Sequence, residues 1–142
     1  MEKVVIVGLG YVGLPLACLA AEKGFETFGL DIDSKKIDLL KQGKSPIDDE
    51  SLHNCVKVHS KKILFSIKAS EIIPKVEIVI VCVPTPIDHD NKPDLTPLVK
   101  ACESITPYLK KNTLVVIEST IFPGTVEDIV KPILDKSKIP YL

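Results

Sequence analysis

Short runs of apolar, mostly β-branched residues recur along the chain and alternate with longer amphipathic segments. The apolar runs predict strands at 3–7, 26–30, 63–67, 78–83 and 113–117. Apolar residues spaced three and four apart predict helices at 11–23, 34–42, 96–109 and 125–134, with a helical turn at 70–73. This alternation predicts an α/β fold, in which a doubly wound, mostly parallel sheet lies between two layers of helices.

Polar residues mark the starts of several predicted helices. Asp33 or Ser34 can cap the helix at 34–42, because either side chain accepts hydrogen bonds from free backbone amides. Thr96 is followed by proline, the order of an N-cap and a first helical residue. Thr125 and Asp128 have the spacing of a capping box for the last helix.

Three parts of the pattern are less regular. Segment 44–60 contains a proline and an acidic cluster, and it predicts a loop with only a suggestion of a short helix around Leu52. The last helix should bury Val126 and bend at Pro132, which has no amide hydrogen. Residues 139–142 predict the beginning of a sixth strand.

Length and composition favour one domain, 1–142. The formal net charge is -1 with both signs interspersed, and the apolar runs are far shorter than the roughly 20 residues that cross a bilayer. We therefore expect a soluble, cytoplasmic protein that binds neither nucleic acid nor membrane. The four cysteines lack the spacing of metal ligands, so we expect reduced thiols and no metal site.

A G-x-G-x-x-G motif, formed by Gly8, Gly10 and Gly13, joins the first predicted strand to the first predicted helix. The first glycine of such a motif allows a tight turn, the second lets the backbone approach a diphosphate, and the third lets the helix pack on the strand. The start of the helix would present the backbone amides of Tyr11 and Val12 to the diphosphate. The motif predicts a dinucleotide site, with a structural turn that binds no ligand as the alternative.

Asp31 ends the second predicted strand, where a carboxylate can accept hydrogen bonds from the adenosine ribose hydroxyls. Its negative charge would repel the 2′-phosphate of NADP, so NAD is the expected cofactor. Lys36 lies on the first turn of the next helix, where it could reach the ribose or only be solvated. Asp33 is a rival for the ribose contact, but its expected role is the helix cap.

Two further loops leave strands that should end at the same crevice. Thr85 lies between two prolines after the fourth predicted strand, and it offers a hydroxyl and an amide to the nicotinamide side. The alternative is a rigid turn that happens to contain threonine. Residues 118–120 end the fifth predicted strand with a carboxylate and two hydroxyls, including that of Thr120.

Four segments carry a resemblance to a known family, at 8–17, 31–33, 82–86 and 118–125. Through them the chain resembles the amino-terminal, NAD-binding domain of the nucleotide-sugar 6-dehydrogenases, the UDP-glucose/GDP-mannose dehydrogenase family. Residues 14–17 and the glutamate-led segment 118–125 are most similar to family members that act on UDP-N-acetylmannosamine or UDP-N-acetylglucosamine.

The resemblance implies a reaction in which the sugar's C6 alcohol is oxidised twice to a carboxylate, with two NAD molecules and a thiohemiacetal on a cysteine. By position it assigns NAD contacts to Tyr11, Val12, Asp31, Lys36, Thr85 and Thr120. Thr120 also matches a threonine that helps to hold the catalytic water. The nucleophilic cysteine and most UDP-sugar contacts would lie beyond Leu142, in central and C-terminal domains, so these 142 residues are expected to bind NAD without completing the oxidation. The resemblance also implies a parent enzyme that is a homodimer or larger.

Three other functions stay open at this point. The substrate could be UDP-glucose or GDP-mannose. A non-enzymatic Rossmann module could instead sense NAD or NADH for a partner protein. A dehydrogenase for a small 3-hydroxy acid would share the glycine motif, but it would lack the proline-rich loop and the 118–125 segment.

Overall fold

The buried apolar runs form strands that pair side by side. The strands are β1 (Lys3–Val7), β2 (Glu26–Leu30), β3 (Ile63–Ser66), β4 (Ile78–Val81) and β5 (Leu114–Ile117). Within residues 1–137 and 139, which the computed structural model describes, these five strands form one parallel sheet in the order β3-β2-β1-β4-β5. The doubly wound parallel sheet predicted from the alternation is therefore confirmed.

Helices cover both faces of the sheet. The α-helices are α1 (Gly13–Glu22), α2 (Ser34–Lys41), α3 (Glu50–His59), α4 (Ala69–Ile72), α5 (Thr96–Ile105) and α6 (Lys131–Leu134). The first three pack in one apolar cluster with Val4 and Ile6, and the last three pack in a second cluster with Val5 and Val7. Because alternate residues of β1 enter opposite clusters, β1 is buried on both faces, as a central strand of a three-layer fold must be.

The strand order creates a crevice at one edge of the sheet. β1 pairs with β2 on one side and with β4 on the other, so the chain changes direction across the sheet between β1 and β4. In open parallel sheets, ligands bind outside the carboxyl ends of the strands at this change of direction. The loops that follow β1, β2, β4 and β5 all lie at this edge, which we call the carboxyl edge.

The loop prediction for 44–60 is wrong, because most of this segment forms α3. The Asp49 carboxylate caps the helix by accepting a hydrogen bond from the Leu52 amide at 3.0 Å. Leu52 and Val56, four residues apart, are buried in the cluster that contains α1. Only two of the helix residues are buried, which gave too weak a periodic signal, and packing against α1 supplies the rest of the stabilisation.

The capping predictions for the last two helices are also wrong. Thr96 is the first residue of α5, preceded by Leu95, and its amide donates to the Asp94 side chain at 2.9 Å. The Thr125 hydroxyl donates to the Phe122 carbonyl oxygen at 2.7 Å and caps no helix.

The segment after Thr125 departs from an α-helix. Residues Val126–Val130 form a π-helical turn, in which the Lys131 amide donates to the Val126 carbonyl oxygen. The Val126 side chain, predicted to be buried, is 40% exposed because the wider turn moves it off the apolar face. The widened turn precedes Pro132, where a bend was predicted. The predicted strand at 139–142 lies outside the described residues, apart from Ile139. None of the described helices is long and apolar enough to cross a membrane.

Candidate dinucleotide-binding site

The glycine loop, residues 8–13, connects β1 to α1 and packs tightly against the end of β4. Gly8 has a φ of 92°, and a Cβ on it would come within 2.7 Å of the Cys82 carbonyl oxygen. A Cβ on Gly13 would overlap the carbonyl oxygen of Gly8. Both positions therefore require glycine, the first for its backbone conformation and the second for the close approach of α1 to the loop.

Gly10 has a different environment, because a Cβ there would meet no described atom within 4 Å. The Leu14 amide donates to the Gly10 carbonyl oxygen at 3.0 Å, so helical hydrogen bonding begins at Gly10, as the sequence predicts. Tyr11 is 75% exposed, and in the described part of the chain no side chain caps α1. The first amides of α1 are thus available to an anion beside the open space at Gly10.

Asp31 is 8% exposed and its carboxylate is held by three donors. The Leu9 amide donates to Oδ2 at 2.8 Å, the Asp33 amide donates to Oδ1 at 3.0 Å, and the Lys36 ammonium donates to Oδ2 at 2.8 Å. Burial alone would raise the pKa of Asp31, but these hydrogen bonds and the positive charge of Lys36 outweigh it and hold the pKa below its usual range. The carboxylate is therefore ionised, and it fixes the glycine loop to the end of β2.

The sequence leaves two roles open for Lys36, contact with the ribose or solvation alone, and the structure adds a third. It lies on the first turn of α2 and forms an ion pair with Asp31 at 2.8 Å, with its side chain 24% exposed. Its backbone amide and that of Lys35 donate to the Asp33 side chain at 3.2 and 3.0 Å. Asp33 is thus the N-cap of α2, which confirms that interpretation, and the cap places Lys36 beside Asp31.

The loops after β4 and β5 are joined by side-chain hydroxyls. The Thr85 hydroxyl donates to the Thr120 carbonyl oxygen at 2.8 Å. The Ser119 hydroxyl donates to the Val83 carbonyl oxygen at 2.9 Å, from a position that is 9% exposed. Thr85 and Thr120, two predicted contact residues more than thirty positions apart, are therefore direct neighbours at the carboxyl edge.

The predicted site residues all follow the carboxyl ends of four neighbouring strands, either on the loop or on the first turn of the next helix. Sequence reasoning missed the Leu9 amide, which Asp31 binds. It placed the Ser119 hydroxyl at the crevice but did not find that this hydroxyl ties the β5 loop to the β4 loop. Ser119 lies directly before Thr120, but its hydroxyl could be assigned a role only after β4 and β5 were shown to be neighbours.

The cysteines contribute no reactive thiolate to this site. Cys18, Cys82 and Cys102 are buried, and all four cysteines are free. Burial raises the pKa of Cys82 to about 11, helped by the negative charge of Glu118, and raises the pKa of Cys102 to about 11, helped by Glu103. Burial also raises the pKa of Cys18, with a contribution from the neighbouring Cys55 thiol. These three thiols are protonated at neutral pH, as expected of cysteines that pack as apolar residues.

We expect a thiol reagent at pH 8 to modify Cys55 first, because it is the partly exposed cysteine. Cys82 and Cys102 should react only on unfolding, since thiolates are the reactive species. Ellman's reagent, followed over time with and without denaturant, measures this difference, and Cys55→Ala should remove the fast phase. Rapid labelling of Cys82 in the folded protein would contradict the assignment.

The geometry fits a dinucleotide. An open backbone position at Gly10 lies beside uncapped helix amides, and an ionised carboxylate lies at the end of the adjacent strand. A Cβ at Gly10 would fill the space that a diphosphate needs. Fold and site together define a Rossmann dinucleotide-binding domain.

Residues 2–140 match the family model described as "UDP-glucose/GDP-mannose dehydrogenase family, NAD binding domain". The chain belongs to this family, as the resemblance indicates, and its cofactor is NAD.

Named relatives agree with this assignment. The chain is 39% identical to the UDP-N-acetyl-D-mannosamine dehydrogenase of Methanocaldococcus jannaschii, over 97% of the chain and 33% of that enzyme. It is 43% identical to the UDP-N-acetyl-D-glucosamine 6-dehydrogenase of Pseudomonas aeruginosa, over 94% of the chain and 31% of that enzyme. It is also similar to the structure of GDP-mannose dehydrogenase from P. aeruginosa in a ternary complex, with a TM-score of 0.89 and 30% identity over 96% of the chain and 32% of that structure. The chain spans about a third of the length of these relatives.

Proposed function

We propose that the glycine loop, Asp31 and the loops after β4 and β5 form one continuous NAD site. The observation that carries this proposal is the open Gly10 position beside the uncapped start of α1, with ionised Asp31 on the adjacent strand. The diphosphate binds at Gly8, Gly10, Gly13 and the backbone amides of Tyr11 and Val12. The adenosine ribose binds Asp31 and Lys36, and the nicotinamide half lies towards Thr85 and Thr120.

Asp31 retains the capacity to bind a ribose hydroxyl. A carboxylate has about four acceptor positions, and Leu9, Asp33 and Lys36 occupy three of them. The remaining position on Oδ1 can accept one hydroxyl hydrogen. The Lys36 ammonium has further hydrogens to donate beside it, so the pair can hold a ribose diol from both ends.

The proposed activity of the whole protein is the NAD-dependent oxidation of C6 of a UDP-N-acetylhexosamine to a uronate. When bound, NAD supplies the hydride acceptor. This chain's residues bind and orient the cofactor, and Thr120, which is exposed at the crevice, helps to hold the catalytic water, as the resemblance implies. A nucleophilic cysteine comes from outside these 142 residues, because Cys18, Cys82 and Cys102 are buried and protonated and Cys55 lies on α3 rather than on a loop at the carboxyl edge.

The substrate part of the proposal rests on the names of relatives, which are UDP-N-acetyl-D-mannosamine and UDP-N-acetyl-D-glucosamine dehydrogenases. The resemblance further implies a cytoplasmic homodimer or larger assembly. The complete gene product should reduce two NAD per sugar with one of these two UDP-N-acetylhexosamines. If the complete gene product prefers UDP-glucose or GDP-mannose, that nucleotide sugar is the substrate instead.

We expect the 142-residue chain to bind NADH and to bind NADPH at least about tenfold more weakly, because the ionised Asp31 repels a 2′-phosphate. Calorimetric titration of each cofactor into the folded protein measures both affinities. Circular dichroism on the same sample confirms that the protein is folded. Folded protein that binds neither cofactor would overturn the proposed NAD site.

A further inference from the structure

The ends of β4 and β5 continue to pair beyond the sheet, through an unusual set of donors. The last backbone bond of the ladder runs from the Glu118 amide to the Val81 carbonyl oxygen at 2.9 Å. Beyond it, the Ser119 hydroxyl donates to Val83 at 2.9 Å and the Thr85 hydroxyl donates to Thr120 at 2.8 Å. We call these two bonds the hydroxyl clamp.

Side-chain hydroxyls join the two loops where the sheet ends. One hydroxyl comes from each loop, that of Ser119 after β5 and that of Thr85 after β4. Thr85 lies between Pro84 and Pro86, whose rings fix the backbone φ on either side of it. The two bonds hold together two segments that would otherwise separate at the edge of the crevice.

The clamp lies on one side of the proposed cofactor. Asp31 is on β2, on one side of β1, whereas the clamp follows β4 and β5 on the other side. A dinucleotide with its diphosphate at α1 and its adenosine ribose at Asp31 must extend its other half over the β4 and β5 loops. The clamp thus supports only the nicotinamide half.

We infer that Ser119 is a positioning residue for the nicotinamide half of the cofactor. This inference rests on the proposed NAD site and extends it to a residue outside the predicted contacts. The Ser119 hydroxyl acts through the Val83 carbonyl: it fixes the β4 loop against the β5 loop, and so it fixes the positions of Thr85 and Thr120. The buried position of Ser119 directs its hydroxyl to the protein backbone, where the bond to Val83 is shielded from water.

Two ligands separate this role from a general effect on folding. ADP-ribose contains the adenosine, diphosphate and second ribose but lacks nicotinamide, whereas NADH contains all of them. We expect Ser119→Ala to weaken NADH binding about tenfold, the effect of losing one buried hydrogen bond, and to leave ADP-ribose affinity within about twofold. Ser119→Thr, which keeps the hydroxyl, should restore most of the NADH affinity.

Thr106 provides a matched control. Its hydroxyl is buried and donates to the Cys102 carbonyl oxygen at 2.6 Å, but it lies after α5, away from the carboxyl edge. Thr106→Val removes a comparable bond, so it should lower the melting temperature. It should not change the affinity for NADH relative to the affinity for ADP-ribose. If Ser119→Ala does not fold, Thr85→Val removes the other bond of the clamp from a more exposed position and should give the same selective loss.

The outcomes distinguish this inference from the proposed function. Selective loss of NADH affinity in Ser119→Ala, with Thr106→Val unselective, supports the positioning role. If Ser119→Ala loses affinity for both ligands equally, or for neither, the positioning role of Ser119 is overturned. The proposed NAD site then still stands, provided that the wild-type chain binds NADH. A wild-type chain that binds neither NADH nor ADP-ribose would overturn the NAD site, and with it the role of Ser119.

Discussion

Gly13→Ala is expected to abolish NADH binding and to destabilise the fold by about 3 kcal/mol or more. The new methyl group would overlap the Gly8 carbonyl oxygen, and the Cys82 side chain lies 3.1 Å away on another side. Because both neighbours belong to the closely packed loop and strand end, α1 must move away from the loop to make room. That movement displaces the helix amides from the diphosphate. Denaturant unfolding and NADH titration measure the two losses separately.

Gly10→Ala is the matched variant, with the same added atom in the same motif. Because a Cβ at Gly10 meets open space, its stability should stay within about 0.5 kcal/mol of the wild-type value. Its NADH affinity should nevertheless fall at least about tenfold, because the methyl group occupies the space for the diphosphate. Normal NADH binding by a folded Gly10→Ala protein would show that the diphosphate lies elsewhere. Wild-type stability in Gly13→Ala would show that the loop is looser than described.

Asp31→Asn should weaken both the fold and the cofactor site. Asparagine has one acceptor oxygen. In the place of Oδ2 this oxygen leaves the Asp33 amide without a partner, and in the place of Oδ1 it leaves the Leu9 amide and the Lys36 ammonium without one, at a cost of about 1–3 kcal/mol in unfolding free energy at pH 7. Loss of the charge-assisted ribose contact should weaken NADH binding by a further ~1–3 kcal/mol, or about fivefold to 150-fold. Asp33→Asn is the control, because asparagine is also a good N-cap and leaves α2 intact. Equal effects of the two substitutions would contradict the assignment of Asp31.

The contribution of Asp31 to stability should depend on pH with a defined sign. Its pKa in the folded protein lies below the unfolded value of about 3.9. Its stabilisation is therefore fully present above pH 4 and is lost as pH falls through the lower, folded-state pKa. Exposed carboxylates such as Asp49 and Glu77 also have lowered pKa values. The test is thus the difference in unfolding free energy between wild type and Asp31→Asn, which should shrink between pH 7 and pH 2. A difference that stays constant would show that charge is not its source.

Much of the fold could be predicted because the central strands β1 and β4 pack on both faces. A run such as 78–83 is apolar throughout, and few other structures accommodate it. The ends of these strands were less predictable. β4 ends at Val81 rather than at residue 83, although the Cys82 amide still donates to the Val7 carbonyl oxygen at 2.7 Å. The missed helix α3 illustrates the opposite case, since its stability comes from contacts with α1 that no local pattern contains.

The site, like the fold, has parts that could be predicted from the sequence and parts that could not. The glycine loop was predictable because its requirements are local: a turn, an open position and a close approach within residues 8–13. The second role of Asp31, as acceptor for the Leu9 amide, depends on the register between β1 and β2. The hydroxyl clamp depends on the pairing of β4 with β5, which are separated along the chain by the whole of α5. Sequence could name the side chains at the crevice but not the bonds between them.

The parallel order of the sheet also determines when the cofactor site can form during synthesis. The glycine loop follows β1, but its wall is the end of β4, which is synthesised much later. Pairing at the other end of these two strands brings together Lys3 and Glu77, 74 residues apart in sequence. Contacts of such high sequence separation form slowly, because the loop must close before the pairing is gained. NAD therefore cannot guide the first steps of folding. It can stabilise the chain only after β1 has paired with β4.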